Sequence, residues 1–457
     1  MPPALALLLW AVCVVALFRF DPGEEGESSA ALWVPVIWIF IVASRLPSQW
    51  IDGISQAAAV EDGNALDRVV YIVLILFAVG VLVSRSFEWR RLVGQNFALS
   101  IFLLFALMSV LWSDVPFVAF KRWFRDLGTY LVILVVLSDP RPLEALRTVL
   151  RRLCFLLLPL SIVLVKYFPE AARYYDVWTG TGYYTGVATS KNMLGVLCLV
   201  SGLYLCWDTL IRWGRRRERP MRRALFANAA LFAMTLWLVN IADSATSRVC
   251  LALGCLLIAL AQSQIIRRRP ALLTVTIPVG VITYALLEFG LGIDILAELA
   301  EAVGRDPTLT GRTEIWAVVL STNTNPVLGT GYESFWLGPR LQWVRDRSGG
   351  IGEAHNGYLE VYLNLGLVGL LLVVAFLIGS YGRICGRLRT GSALGSLGLG
   401  LWTILVFYNV TESALRGHLM WVAFLLVALS VPATGAGRGK MALAVGPRGE
   451  ARDRVTR

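Results

Sequence analysis

Long apolar runs recur from one end of the chain to the other, and they restrict it to folds that cross a bilayer. With 57% hydrophobic and only 16% charged residues in 457 positions, it lacks the charged surface that soluble domains need. The runs are about 16 to 24 residues long, which at about 1.5 Å of rise per residue matches a hydrocarbon core of about 30 Å. Thirteen can be placed, near 3–19, 31–46, 67–84, 97–112, 119–138, 149–166, 190–211, 224–241, 247–266, 270–290, 358–381, 393–410 and 415–431. The expected fold class is all-α, a polytopic membrane protein of twelve or thirteen helices, the count depending on whether the first run crosses.

The first ten residues contain no Lys or Arg and no small-residue cleavage site closes the run, so it reads as a retained helix. All seven cysteines lie in or beside apolar runs, which implies no disulfide framework. The net charge of +11 does not point to nucleic acid, because the arginines fill short loops between spans. Arg85, Arg90 and Arg91 share one loop, and Arg141, Arg147, Arg151 and Arg152 another. A third holds Arg212, Arg215, Arg216, Arg217, Arg219, Arg222 and Arg223, with further groups at 267–269, at Arg383, Arg387 and Arg389, and at Arg438 and Lys440. The positive-inside preference makes these places cytoplasmic and puts 46–67, 113–117, 167–190, 242–247, 291–357 and 411–414 outside. Parity then places the N-terminus outside and an acidic loop (Asp21, Glu24, Glu25, Glu27) inside. The organisation is ten helices over 1–290, a large outer loop over 291–357, three helices over 358–431 and a cytoplasmic tail over 432–457, expected to be disordered.

Loops as long as 291–357 are usually functional. Apolar spacing over 293–303 predicts a short amphipathic helix, and Thr310 is placed to cap a second that begins at Gly311 and Arg312. Asn325-Pro326 and Gly329-Thr330-Gly331 should end it in a turn. Arg312 would lie in a first helical turn, where unpaired N–H groups and the helix dipole favour an anion, so it is a candidate phosphate ligand as well as an ordinary solvated arginine. Lys191 and Arg248 lie near the outer ends of apolar runs, where a charge either snorkels or has a role. Arg122 and Arg125 open the fifth run on the same face and rank behind them.

His355 stands where the outer loop meets the span from Tyr358, a position suited to a general base near neutral pH. Glu353 and Glu360 flank it and are candidates to hold its tautomer, with Asn356 and Tyr358 as supporting residues. Glu412, beside Asn409 and Thr411 in a short outer turn, can orient an arginine. His418 reads as a structural residue of the last span. No zinc spacing, phosphate-cradling Gly-rich loop or Gly-x-Ser-x-Gly elbow is present, so no metal and no cofactor is expected.

The stretches LTGRTEIWAVVL, NPVLGTGYESFW and EAHNGYLEVYLNLGLVGLLL, with 189–195 and 409–413, resemble the bacterial O-antigen ligases and polysaccharide polymerases. That resemblance touches about half the chain, and GVATSKNMLG and YNVTES look closest to the exopolysaccharide polymerase branch. It implies a membrane glycosyltransferase of the bacterial inner membrane, with its active face periplasmic or extracellular, that uses glycans carried on undecaprenyl diphosphate. The acceptor is then a glycan or lipid A-core. On that reading His355 is the base, while Arg312, Arg248 and Lys191 hold the diphosphate. The alternative from another class is a flippase for lipid-linked sugars, which would gather its charges near the midplane.

Overall fold

A computed structural model describes residues 1–20, 29–53, 63–85, 88–175, 180–286 and 312–431. The expected helix over 293–303, its successor's cap at Thr310, the acidic loop at 21–27 and the tail lie outside them. The described chain is an all-α polytopic membrane protein. In order come α1 (Pro3–Phe20), α2 (Trp33–Ala43), α3 (Pro47–Ile51), α4 (Ala65–Ser84), α5 (Trp89–Gln95), α6 (Phe97–Met108) and α7 (Pro116–Leu137). Then follow α8 (Pro142–Tyr167), α9 (Pro169–Ala172), α10 (Lys191–Arg212), α11 (Arg219–Ile241), α12 (Ala245–Gln262), α13 (Gln264–Arg268) and α14 (Ala271–Ala285). The last five are α15 (Arg312–Leu320), α16 (Gly338–Ser348), α17 (Gly357–Arg389), α18 (Ala393–Thr411) and α19 (Leu419–Ala428). Among the described residues strand is confined to one antiparallel hairpin, Arg173–Tyr175 with Gly182–Tyr184.

Each of the thirteen apolar runs holds a helix, but they are not equivalent. Among the described residues, seven helices are long and apolar enough to cross a membrane (α4, α8, α10, α11, α12, α17 and α18), or eight if α5 and α6, bent by 98°, make one broken span. Helices α1, α2, α14 and α19 are apolar but shorter, and α7 carries Lys121, Arg122, Arg125 and Asp126. Of the twelve or thirteen expected crossings, seven or eight meet that length and composition among the described residues. A run of about ten residues rises only about 15 Å, half a hydrocarbon core.

Burial separates the centre from the lipid-facing rim. In the apolar window of α10, 78% of residues are buried, whereas 28% are buried in that of α4, which exposes Ile72, Leu76, Phe77 and Val83. At the arginine-rich end, Asp208 of α10 is fully buried and ties three helices together. It accepts from Arg212 Nε at 2.7 Å and Asn228 Nδ2 at 2.9 Å, with Arg147 Nε at 3.6 Å and Arg151 Nη2 at 3.9 Å. These arginines, read from the sequence as topogenic charges, are thus also partners of a buried carboxylate, which satisfies the requirement that buried charge be paired.

At the other end the starts of α10, α12 and α17 meet the end of α18. Asn192 donates to Glu412, Thr246 Oγ1 lies 3.4 Å from Thr411 Oγ1, and Gly357 N donates to Glu412 O. A Cβ on Gly357 would stand 2.0 Å from Asn409 Oδ1, so only glycine allows this approach. Asn409 is buried and accepts from Ala414 N at 2.9 Å, so it fixes the turn that follows α18.

Helix α17 breaks at Gly366 (φ 62°, ψ −165°), and the loop at 325–331 fills the break. Thr330 N and Gly331 N donate to the carbonyls of Leu363 and Asn364, while Leu367 N and Val368 N donate to those of Pro326 and Val327. The freed groups of the helix are therefore satisfied by loop backbone, the condition for irregular chain at membrane depth. The Gly366 conformation is essentially glycine-only, and a Cβ there would lie 2.2 Å from Val327 C. Gly366→Ala should destabilise the protein by about 2–5 kcal/mol, adding backbone strain to overpacking. Its detergent-solubilised melting transition checks this, and an unchanged transition contradicts the interlock.

Candidate active site

The interlock carries residues 332–336 to the first half of α7. Tyr332 OH donates to Asp126 Oδ2 at 2.7 Å, and Asp126 also accepts from Arg125 Nε at 3.3 Å. Glu333, at a positive φ of 53°, places its carboxylate 2.5 Å from Arg416 Nη1, and its carbonyl accepts from Arg122 Nη1 at 2.5 Å. Arg416 also has a positive φ, 63°, and its guanidinium lies 5.6 Å from the centre of the Tyr332 ring. Two ordinary side chains held in the left-handed region and facing each other mark a locally over-determined structure. Burial alone would push the Glu333 carboxyl up, but Arg416, Arg122 and Arg125 outweigh it and hold it below the usual range.

Arg122, Arg125, Asp126, Glu333 and Arg416 line a cavity of about 430 Å³ together with Trp336, Arg345, Glu353, Gly357, Glu360, Ser413 and His418. Its walls carry four arginines (Arg122, Arg125, Arg345, Arg416) and four carboxylates (Asp126, Glu333, Glu353, Glu360). The distribution matters more than the balance. Glu360 is spent on backbone and indole donors, and Arg345, exposed on α16, has no carboxylate partner among the described residues.

His355 lies beside the cavity at a positive φ of 48°. Its Nδ1 is 3.1 Å from Glu353 Oε1 and 3.6 Å from Glu412 Oε2. The preceding peptide is pinned at both ends: Ala354 N donates to Glu360 Oε1 at 2.6 Å, and Ala354 O accepts from Trp316 Nε1 at 2.9 Å. Glu360 further accepts from Trp336 Nε1 at 2.8 Å. Glu360 therefore holds the loop backbone that carries His355, and the carboxylates at the imidazole are Glu353 and Glu412. Asn356 caps α17, accepting from Tyr358 N and Leu359 N at 3.0 Å, and donates to Val410 O. Tyr358 OH donates to Val406 O at 2.9 Å, so both residues fix α17 against α18.

Trp316 belongs to α15, whose first residue is Arg312, so the pin on Ala354 also ties the Arg312 helix to the histidine. Lys191 and Arg248 share this end of the molecule but not the cavity. Lys191 Nζ lies 3.5 Å over the Tyr183 ring, and Arg248 Nη2 is 3.1 Å from Asp243 Oδ1. Glu412 accepts from Asn192 Nδ2 at 3.2 Å and stands 3.6 Å from the histidine Nδ1.

Sequence reasoning named neither Arg416 nor Glu333 and placed Arg122 and Arg125 second, and all four line this cavity. The signal for Arg416 was present, since it fell inside the run placed at 415–431, where a charge is costly without a role. The structure shortens that helix to Leu419–Ala428 and puts Arg416 in the turn before it. His418 is likewise the cap of that helix rather than part of a span, and it lines the cavity. Its Nδ1 accepts from Met420 N at 3.4 Å, which requires the unprotonated nitrogen. Burial pushes the imidazole down to about 4, against a smaller opposing pull from Glu412.

This shift has a stability consequence. An unfolded histidine binds its proton near pH 6.5 and the folded one near 4, so the unfolded state holds more protons between these values. Stability should fall as pH drops from about 6.5 to about 4 and then level off for this group. Replacing His418 with Asn, a good helix cap, should flatten that limb of the melting temperature against pH. Equal slopes in the two proteins contradict it.

Among the described residues no three His, Cys, Asp or Glu side chains converge as a metal site. Residues 229–374 match the family described as O-antigen ligase, a segment that contains Arg248, Arg312, Glu353, His355 and Glu360. The chain is also 27% identical over 312 residues to the exopolysaccharide production protein ExoQ of Rhizobium meliloti (strain 1021), covering 64% of this chain and 67% of that protein. The chain is thus a multi-pass membrane protein that is similar to the O-antigen ligase family and to an exopolysaccharide production protein.

Proposed function

We propose that the protein is a glycosyltransferase that moves a glycan from undecaprenyl diphosphate to an acceptor hydroxyl at the outer face of the inner membrane. The observation that carries this reading is the histidine between two carboxylates beside a cavity walled by Arg122, Arg125, Arg345 and Arg416. A carboxylate at Nδ1 fixes the tautomer and leaves Nε2 as the base. Nε2 takes the acceptor proton as the acceptor oxygen bonds to the anomeric carbon. The bond from that carbon to the diphosphate breaks with its electron pair, undecaprenyl diphosphate departs, and the anomeric centre inverts. Guanidinium groups suit the developing charge on the diphosphate because they bind phosphate oxygens two at a time.

Arg416 and Arg122 are the central ligands in this scheme, with Arg345 at the mouth and Arg312 brought toward the histidine by its helix. Lys191 and Arg248, engaged with Tyr183 and Asp243, add to the field at this end of the molecule. Likeness to an exopolysaccharide production protein favours the polymerase role, in which the acceptor is another lipid-linked repeat unit, over transfer to lipid A-core. Deleting the gene and analysing the cell's glycans tests this. A free polysaccharide that loses its length while lipid A-core is unchanged is the expected result. Loss of O-chain from lipid A-core assigns the ligase role instead. Lipid-linked glycan stranded on the inner leaflet, scored by its protection in sealed vesicles, replaces the enzyme with a flippase.

A further inference from the structure

A second cavity, of about 270 Å³, lies between α2, α4, α7 and the first turn of α10, and it shares Arg125, Asp126 and Gly417 with the larger one. The partition is thin. Gly417 contributes no side chain, and even an added Cβ would stand 3.5 Å from Asp126 Oδ1. We propose that this second cavity is the binding site for a neutral sugar ring of the acceptor glycan. The proposal rests on the glycosyltransferase reading above.

The lining selects the ligand class. Trp38 and Tyr71 meet edge to face at 4.8 Å between ring centres, and Gln49, Thr129, Thr189 and Asp126 stand around them. Aromatic faces interleaved with short hydroxyl, amide and carboxylate groups complement a ring that has apolar C–H faces and a rim of hydroxyls. An isoprenoid chain would leave the Tyr71 hydroxyl and the Gln49 amide N–H₂ dehydrated with no partner, at a penalty for each. A diphosphate would meet Asp126, and the one arginine in this lining, Arg125, is already paired with it. Polar capacity is also left over. The Tyr71 hydroxyl and the Gln49 amide N–H₂ have no hydrogen-bond partner among the described residues, Gln49 using only its carbonyl oxygen, which accepts from Leu46 N.

Position selects the acceptor over the donor. The donor sugar is attached to the diphosphate and stays with the arginines of the larger cavity. The acceptor hydroxyl must reach the imidazole, and the first turn of α10 connects the second cavity to it. Thr189 and Met193 line the cavity while Asn192 holds Glu412, whose carboxylate lies 3.6 Å from His355 Nδ1.

The test uses the full chain in detergent and, as probe, oligosaccharides cut by mild acid from the producing bacterium's own polysaccharide, titrated while tryptophan fluorescence is followed. Tyr71→Phe and Thr189→Val each delete one hydroxyl at nearly constant shape and should weaken binding by about 3- to 10-fold. Val42→Phe fills the cavity and should abolish binding, and Tyr174→Phe on the hairpin should change nothing. Only variants whose melting temperature stays within a few degrees of the parent are scored, so the hydroxyl deletions keep the test decisive if the filled variant fails to fold. In a second arm, lipid-linked repeat units extracted from the deletion strain serve as donor. An unchanged donor KM with weaker oligosaccharide binding supports the assignment. A raised donor KM with unchanged oligosaccharide binding gives the cavity to the donor sugar and overturns it. If gene deletion removes the polymer but none of the variants alters binding or chain length, this subsite fails while the enzyme reading stands.

Discussion

Replacing His355 with alanine should lower turnover by roughly 10²- to 10⁴-fold while donor binding survives, the range expected when a general base is removed. The two effects separate because the groups are separate. The arginines proposed to hold the diphosphate line the cavity, whereas the imidazole sits beside it against Glu353 and Glu412. Since the base must be neutral to accept a proton, the parental rate should rise with pH through the imidazole's titration, and His355→Ala should lose that limb. Glu353→Gln and Glu412→Gln should each reduce turnover less, because one carboxylate still faces Nδ1 when the other is gone. Measuring donor affinity and single-turnover rate separately decides the matter. Weakened binding with intact turnover of bound donor makes the histidine a phosphate ligand.

Much of this architecture was legible in the chain. Hydropathy located a helix in each of the thirteen runs, and the alternation of arginine-rich and arginine-poor loops put His355, Glu412, Lys191 and Arg248 at one end, where the structure has them. Three things were hidden, for identifiable reasons. The break at Gly366 falls inside NLGLVGLLL, and the groups that repair it come from 326–331, about forty residues earlier and with no periodicity to announce the pairing. The part played by Glu360 was also out of reach. A buried carboxylate one turn into a helix calls for partners, but a sequence does not show that they are a backbone amide before His355 and an indole at Trp336. Arg416 was masked by its neighbours, since hydropathy averaged over ALRGHLMWVAF absorbs one arginine into a span. Reading single charges against the membrane cost of each, rather than as a window average, would have flagged it.

Arg416→Ala should abolish transfer and also destabilise the protein by about 1–3 kcal/mol, because it takes from the partly buried Glu333 carboxylate its nearest cation and leaves only Arg122 and Arg125. The two losses have different causes and can be pulled apart. In the double variant Arg416→Ala with Glu333→Gln, no charge is left uncompensated at that position, so most of the lost stability should return, as judged from the melting transition in detergent. Transfer should not return, because the diphosphate still lacks its guanidinium. Glu333→Gln alone provides the complementary measurement. It frees Arg416 from its 2.5 Å partner, and donor affinity should hold or increase, since carboxylate and diphosphate compete for the same cation. Arg416→Lys should restore activity only in part, because an ammonium contacts one phosphate oxygen where a guanidinium can span two. Recovery of full transfer in the double variant reduces Arg416 to a counterion for Glu333 and hands the diphosphate to Arg122, Arg345 and Arg312.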